Sequence, residues 1–322
     1  MNPGNPIVAP SAPLLSSHLK PTLDRAQEKP ALQVQAGPDF CCIGAQKGGT
    51  GWLYEQLRAH PDFWMPPLKE LHYFDRLWRS QRKAAASRFL FMGQGAGRFD
   101  AARKSARDER DLEFLNAMES LSERSEIDLQ KYRALFAAKE GLLTGDITPG
   151  YSTLQDEIIE QIVTCFPRMR VIFLARDPVE RAWSNLSMWV RHGSIERFDI
   201  SDADQVIRHL LRPEVLVRSY PSKIVARWRR HVHPTLFRVY FFDDLKRDPS
   251  ALRRSIIEFL GGNPAQPSGK LAADHNSKAR LEKLELTGKV RGRMAEFFER
   301  ELKACAQELG GPALEWPSRY GF

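Results

Sequence analysis

A chain of 322 residues, 42% of them apolar, can bury a substantial core as one large α/β domain or two smaller ones. Its charge of 48 − 40 = +8 favours anionic ligands. No apolar stretch reaches the length of a membrane span, and the four cysteines form no CxxC pair, so nothing indicates stable membrane insertion, a metal site or a disulfide framework. We therefore expect reduced thiols, no metal and a cytoplasmic location.

The first 37 residues are rich in Pro, Ser and Ala and show no sustained periodicity. They lack a basic segment followed by a long apolar one, so we do not interpret them as a secretory signal. The sequence predicts a disordered leader over residues 1–37 and a single domain over residues 38–322.

Short apolar runs predict the strands of that domain. They lie at 39–45 (DFCCIGA), 169–175 (MRVIFLA) and 236–242 (LFRVYFF), each followed by a turn signal and then a helical pattern, and more weakly at 141–146 (GLLTGD). Strands that alternate with helices indicate a parallel sheet, here a P-loop-like one, flanked by helices on both faces. In such sheets ligands bind in the loops after the carboxyl ends of the strands.

Helical patterns fill two further parts of the chain. Residues 77–139 are mostly polar and charged, and they predict a helical insertion beside the sheet. Residues 289–309 carry an apolar stripe that is typical of a core-facing helix. The stripe consists of Met294, Phe297, Phe298, Leu302 and Cys305.

The loop after the first strand reads GAQKGGT. Gly44 and Gly49 have the glycine spacing of the Walker motif, but the residue after Gly49 is Thr50 and the lysine is Lys47, so the Lys-Ser/Thr pair that binds phosphate and Mg²⁺ is missing. What remains is a cradle of backbone amides at a helix N-terminus, with one ammonium in the loop and a hydroxyl on the first turn. This suits a 5′-phosphate whose bridging oxygen must be stabilised as it leaves.

A second anion-binding motif follows the strand at 169–175. Arg176 ends that strand, Pro178 suits the first turn of the next helix, and Ser184 follows Arg176 by eight residues. An arginine can bind a phosphate with two hydrogen bonds, and a serine on the same side can add a third. Together the two loops predict two phosphate sites for one nucleotide.

Three segments in order resemble motifs of the sulfotransferases that use 3′-phosphoadenosine 5′-phosphosulfate (PAPS), particularly the carbohydrate and heparan-sulfate type and its bacterial relatives. IGAQKGGTGWLYEQL resembles the 5′-phosphosulfate loop, KELHYFD (69–75) the segment with the catalytic base, and LARDPVERAWS the 3′-phosphate motif. The resemblance implies PAPS as co-substrate, Glu70 as base, and Arg176 and Ser184 at the 3′-phosphate. Around the 5′-phosphate it implies Lys47, Gly48, Gly49, Thr50, Gly51 and Trp52.

One segment departs from the family pattern. Relatives often carry a lysine in a G-E-K-[ST]-P segment near the reacting groups, whereas this chain reads GDITPGYS, with Ile147 in place of the lysine. Either another cation serves, or the acceptor does not need one.

The groups themselves suggest a mechanism. By analogy with phosphoryl transfer, the protein positions the reactants and stabilises charge, with Lys47 facing the leaving phosphate and Glu70 taking the acceptor's proton. His72 either orients Glu70, contacts the acceptor or is structural, and Asp75 we interpret as a helix cap. Asn276 and Lys278 are expected to close over the nucleotide, and Trp316 to pack in the core.

Three rival functions and the acceptor complete the interpretation. A P-loop small-molecule kinase would require Mg²⁺, a nucleic-acid-binding protein would interleave basic and aromatic residues on one surface, and a degenerate member would have lost its reactive groups. We expect no nucleic acid as partner, and the sequence leaves the oligomeric state open.

The acceptor, a sugar, glycolipid or polar small molecule with a hydroxyl or amine, is expected between residues 76–140 and 187–222. Side chains suited to line that cleft are Trp189, Arg191 and His192.

Overall fold

The computed structural model describes residues 37–75, 97–121, 126–195, 198–267, 269, 271–275, 277 and 284–322. All but the last residue of the predicted leader lies outside these ranges, as do residues 77–96 and 122–125 of the predicted insertion. The division of the chain into a leader and one domain therefore stays a prediction.

A four-stranded parallel sheet forms the centre of the described part. Its strands are β1 (Phe40–Gly44), β2 (Gly145–Ile147), β3 (Arg170–Ala175) and β4 (Phe237–Phe241), in the order β2-β1-β3-β4. The parallel sheet is confirmed, and β1, β3 and β4 lie within the runs predicted from the sequence.

The weaker strand prediction, residues 141–146, was wrong in its extent. Residues just before β2 pair elsewhere, because the Leu143 amide donates to the Asp62 carbonyl and the Trp64 amide donates to the Leu143 carbonyl, both at 2.9 Å. In the register with β1, Gly145 is the first residue of β2 and lies opposite Phe40. A Cβ atom on Gly145 would lie 2.5 Å from the Phe40 carbonyl oxygen. A glycine is therefore needed where β2 meets β1.

The helices connect and cover these strands. Between β1 and β2 lie α1 (Thr50–Arg58), α2 (Glu109–Ser120) and α3 (Leu129–Ala134); residues 97–104 are also helical. Between β2 and β4 lie α4 (Asp156–Cys165), α5 (Pro178–Arg191), α6 (Ala203–Leu210), α7 (Pro213–Leu216) and α8 (Pro221–Arg229). After β4 come α9 (Phe242–Arg247), α10 (Pro249–Leu260) and α11 (Gly288–Leu309). Short 3₁₀ helices lie at Ala137–Lys139, Pro149–Thr153, Pro234–Leu236, Gly311–Glu315 and Ser318–Tyr320.

Apolar side chains on both faces of the sheet pack against helices, which confirms the predicted helices on each side. Val171 and Phe173 of β3 pack in one cluster with residues of α5, α8 and α11, whereas Ile172 and Leu174 pack in a second cluster with residues of α1 and α10. Successive strand residues point to opposite faces, so this alternation is what a sheet buried on both sides requires. Each such apolar side chain contributes roughly 1.5–3 kcal/mol when fully buried.

The last long helix, α11, agrees with its predicted apolar stripe. Met294, Phe298, Leu302 and Cys305 are buried, and Phe297 packs at the edge of the same cluster. None of the helices within the described ranges is long and apolar enough to cross a bilayer.

The turn predicted after the third run contains a short helix instead. The helix α9 occupies Phe242–Arg247, and Asp248 then caps α10 by accepting a hydrogen bond from the Ala251 amide at 2.9 Å. The helix α10 ends at Gly261, whose φ of 90° is left-handed, as the glycine signal predicted.

Candidate active site

The loop between β1 and α1 is a tight turn packed against the neighbouring strand. The Gly48 amide donates to the Ala45 carbonyl at 2.9 Å, and a Cβ on Gly48 would lie 2.3 Å from the Leu174 carbonyl oxygen of β3. Gly49, with a φ of 105°, is the N-cap of α1, and no side chain caps the helix there. The first amides of α1 therefore stay available for an anion.

The structure brings Arg176 to this loop. Its Nη1 donates to the Lys47 carbonyl at 3.0 Å across 129 residues of sequence, and its Nη2 pairs with Glu180 Oε2 at 3.2 Å. The guanidinium also stacks over the Phe242 ring, 4.3 Å from the centroid. Burial lowers the pKa of Arg176 despite the nearby Glu180 carboxylate.

Ser184 lies one turn after Glu180 on α5 and is half-buried. Glu180 also pairs with Lys246 Nζ at 2.9 Å. The glutamate was not singled out from the sequence. In the sequence, Glu180 is marked only by its place one turn before Ser184. Its pairing with Lys246 depends on how α5 and α9 meet.

The segment KELHYFD lies beside the loop. Lys69 Nζ donates to Glu70 Oε1 at 2.7 Å and to Thr50 Oγ1 at 3.4 Å, which joins the predicted base to the first turn of α1. Arg98 donates to the carbonyls of Lys69 and Glu70 and so holds the backbone of the segment.

Glu70, His72 and Asp75 form a chain of three ionisable side chains. His72 Nε2 lies 3.5 Å from Glu70 Oε2, and His72 Nδ1 lies 2.9 Å from Asp75 Oδ2. Glu70 and His72 both have left-handed backbones, with φ of 63° and 54°. Such conformations are costly for residues with a Cβ and are concentrated at functional sites.

The charges on Glu70 and His72 stabilise each other. Burial alone would raise the pKa of Glu70, but the hydrogen bond from His72 and the positive charge of Lys69 outweigh it and hold that pKa well below its usual range. Burial opposes a charge on His72 as well, yet the hydrogen bonds to Asp75 and Glu70 raise the pKa of the imidazole. Glu70 is thus ionised at neutral pH, and a proton on His72 is favoured.

Asp75 has a partner that the sequence did not reveal. We expected it to cap a helix, but the residues that follow it lie outside the described part of the chain. The capping role stays a prediction, and the carboxylate accepts a hydrogen bond from His72 that fixes the orientation of the ring. The H-x-x-D spacing was the available signal.

The GDITPGYS segment packs against the KELHYFD segment and holds it through buried hydrogen bonds. Asp146 is buried and accepts hydrogen bonds from Thr148 Oγ1 at 2.6 Å and Tyr151 Oη at 2.7 Å, while Tyr151 Oη accepts one from the Tyr73 amide at 2.9 Å. Burial raises the pKa of Asp146 although three hydroxyl groups donate to it. These residues act as a frame, and Ile147 between them is 2% exposed.

Trp52 is directed at a late segment of the chain. Its Nε1 donates to the Ala273 carbonyl at 2.7 Å, and Gln56 Nε2 donates to the Ala272 carbonyl at 2.9 Å. Residues 271–275 therefore lie along α1, whereas the predicted nucleotide-closing residues Asn276 and Lys278 lie outside the described residues. The assignments of Trp52 and of the neighbouring Gly51 to a nucleotide stay predictions.

Other predicted features lie at the edges of the site. Trp316 is fully buried against Phe241 and donates to Asp243 Oδ2 at 3.3 Å, so it is a packing residue as expected. Trp189, Arg191 and His192 lie at the C-terminal end of α5. In the described ranges, no group of three or more His, Cys, Asp or Glu side chains is placed to hold a metal ion.

The parallel sheet, the glycine-rich turn and the second motif joined to it define a P-loop-like α/β protein. The model of the sulfotransferase family matches residues 38–264, which is more than half of the chain. The chain therefore belongs to the sulfotransferase family. Membership of this family indicates that the protein is an enzyme that transfers sulfuryl groups to an acceptor substrate.

A solved structure agrees with this fold, and two others are similar over most of the chain. A sulfotransferase from Alicyclobacillus acidocaldarius superposes with a TM-score of 0.58 at 19% identity, over 88% of this chain and 99% of that one. The sulfotransferase domain of the Synechococcus PCC 7002 olefin synthase gives 0.46 at 19% identity, over 82% and 96%. The sulfotransferase domain of the curacin biosynthetic pathway gives 0.48 at 16% identity, over 81% and 97%. A search of curated protein sequences found no match.

Proposed function

We propose that this protein transfers the sulfuryl group of PAPS to a hydroxyl or amine of an acceptor, which is a carbohydrate, a glycolipid or a polar small molecule. The observation that carries the proposal is the hydrogen bond from Arg176 to the Lys47 carbonyl, 3.0 Å long. It joins two phosphate-binding motifs that are far apart in sequence. An adenosine bisphosphate has two phosphate groups, and adjacent cationic loops are suited to hold both.

The loop and the second motif would divide the nucleotide between them. The amides of Gly49 and Thr50 and the Lys47 ammonium hold the 5′-phosphate and stabilise charge as it leaves. Arg176 and Ser184 hold the 3′-phosphate, for which the arginine exchanges its bond to Glu180. PAPS supplies the activated sulfuryl group.

Glu70 is placed to accept the acceptor's proton. Its carboxylate is ionised at neutral pH because Lys69 and His72 stabilise the negative charge. As the acceptor oxygen or nitrogen bonds to sulfur and the bond from sulfur to the 5′-phosphate oxygen breaks, the proton passes to Glu70. General-base assistance of this kind is typically worth ~10²–10⁴-fold in rate. His72, oriented by Asp75, holds Glu70 in place.

Calorimetric titration of the purified protein with adenosine 3′,5′-bisphosphate tests the nucleotide assignment. We expect binding in metal-free buffer and a loss of about 10- to 100-fold in affinity for Lys47→Ala and for Arg176→Ala, because each removes a charge-assisted hydrogen bond. Glu70→Gln serves as the control, since the proposed base should leave bisphosphate affinity unchanged.

A preference for ATP with Mg²⁺ over the bisphosphate would contradict the proposal and favour a kinase. An Arg176→Ala variant that binds the bisphosphate as well as the unmodified protein would remove the second phosphate site.

A further inference from the structure

Lys69 connects the two halves of the site. Its Nζ lies 2.7 Å from Glu70 Oε1 and 3.4 Å from Thr50 Oγ1, and its side chain is 22% exposed. Thr50 begins the helix whose first amides are available to an anion, and Glu70 is the proposed base. The ammonium thus lies between the donor-binding loop and the group that activates the acceptor, which is where a group in transit must pass.

Strand β2 ends at Ile147, an uncharged residue at the position where relatives often carry a lysine. Ile147 ends β2 and pairs with Cys42 of β1, and both side chains pack on the face of the sheet that α1 covers. Burial raises the pKa of Cys42 to about 12, and the positive charge of Lys69 is among the influences that oppose this rise. The charge of Lys69 therefore acts on Cys42, the residue that pairs with Ile147.

We propose that Lys69 binds the sulfuryl group of the donor and so supplies the positive charge that Ile147 does not. The inference rests on the proposed function, and it assigns a role to a residue that the sequence motifs left unassigned. Lys69 has two partners in the structure, and it exchanges the Glu70 carboxylate for the sulfuryl oxygens when the donor binds.

This exchange would also affect the base. The hydrogen bond and the charge of Lys69 are two of the influences that hold the Glu70 pKa low. When the ammonium moves to the donor, the Glu70 carboxylate becomes more basic while His72 and Asp75 keep it in position. The donor would thus prepare the base for the acceptor's proton.

Comparing two nucleotides isolates the sulfuryl contact without knowledge of the acceptor. PAPS carries the sulfuryl group and adenosine 3′,5′-bisphosphate does not, so a residue that binds this group affects the first ligand more than the second. We expect Lys69→Met to weaken PAPS binding about 10- to 100-fold, as the loss of a charged hydrogen bond implies, and bisphosphate binding far less. Titration calorimetry measures both affinities.

Three further variants complete the design. Lys303→Met removes a comparable lysine–glutamate pair on α11, with Glu299 at 2.6 Å, and should leave both affinities unchanged. Lys47→Met should weaken both ligands. The double variant Lys69→Met/Ile147→Lys restores an ammonium in the segment where relatives often carry a lysine, and it should recover the preference for PAPS.

The outcomes separate the two hypotheses. Equal weakening of both nucleotides by Lys69→Met would mean that the lysine only supports the loop, and no weakening would mean that it only pairs with Glu70; either result overturns the inference and leaves the proposed function intact. If the unmodified protein binds neither PAPS nor the bisphosphate, the proposed function and this inference fall together.

Discussion

Gly150 leaves the space in which the side chains of Asp75 and His72 form their hydrogen bond. A Cβ at this position would lie 2.3 Å from Asp75 Oδ2 and 3.2 Å from His72 Nδ1. The atoms that would be displaced are the two partners of the hydrogen bond that orients His72. The glycine is required here for space, because the carboxylate and the imidazole approach the backbone directly.

We expect Gly150→Ala to lower the pKa of His72. Displacing Asp75 weakens the hydrogen bond that raises this pKa, so the burial that opposes a charge on the ring then dominates. A titration of the His72 ring signals by NMR measures the change. Overpacking of this kind costs about 1–3 kcal/mol, so the folded fraction is checked by thermal unfolding.

The matched control for this experiment is Gly292→Ala. Gly292 lies within α11, and a Cβ there would meet nothing within 4 Å. Alanine in a helix interior is favoured over glycine by about 1 kcal/mol, so this variant should be slightly more stable and should leave His72 unchanged. An unaltered His72 pKa in Gly150→Ala would show that Asp75 does not set the charge of the ring.

The N-terminus of α5 is the element that presents Arg176 and Ser184, and the C-terminal residues of the chain pack against it. Asp177 caps α5 by accepting from the Val179 amide at 2.9 Å. It also accepts a hydrogen bond from Tyr320 Oη at 2.9 Å. Burial raises the pKa of Asp177 to about 6, and these hydrogen bonds only partly oppose the rise.

This raised pKa predicts a pH-dependent contribution to stability. The folded state binds the Asp177 proton more tightly than the unfolded chain does, so the contribution is present at low pH and is lost as the pH rises through about 6. Relative to Asp177→Asn, the free energy of unfolding of the unmodified protein should gain about 1 kcal/mol between pH 7 and pH 5. Asparagine is a comparable N-cap and is uncharged.

Urea unfolding of both proteins at the two pH values measures this difference. Parallel changes in the unmodified protein and in Asp177→Asn would show that Asp177 is ionised throughout and that other groups, such as histidines, cause the pH dependence.

At the scale of the whole molecule, the site combines segments that are distant along the chain. The loop after β1, the KELHYFD segment, the GDITPGYS segment and the start of α5 meet at the carboxyl ends of the parallel strands. The late segment 271–275 joins them through the indole of Trp52. A ligand held by such a site stabilises several segments at once.

Hydrogen exchange should map this arrangement. We expect adenosine 3′,5′-bisphosphate to slow amide exchange in residues 45–52 and at the start of α5, because these backbones would be held by the two phosphates. Exchange in the C-terminal half of α11 should not change, and it serves as the internal reference. Mass spectrometry of peptides from both states makes the comparison. Protection confined to the first loop would contradict a two-phosphate site.

Much of the fold could be predicted because its signals are local. The runs that became β1, β3 and β4 are continuous and apolar, as strands buried on both faces must be. The limits of β2 could not be found in the same way, because the pairing of Leu143 with residues 62–64 competes for the backbone just before Gly145. That competition exists only once distant parts of the chain have met.

The loop, the helix N-terminus that follows it and the types of charged group near them could be predicted from the sequence, because glycine spacing, capping and periodicity act within a few residues. Which of these groups meet became visible in the fold: Arg176 contacts the Lys47 carbonyl, Asp75 contacts His72, and Lys69 contacts both Thr50 and Glu70. Hydrogen bonds and charge interactions act over a few ångströms in space. Their partners are therefore set by the packing of the sheet and its loops, which spacing along the chain does not reveal.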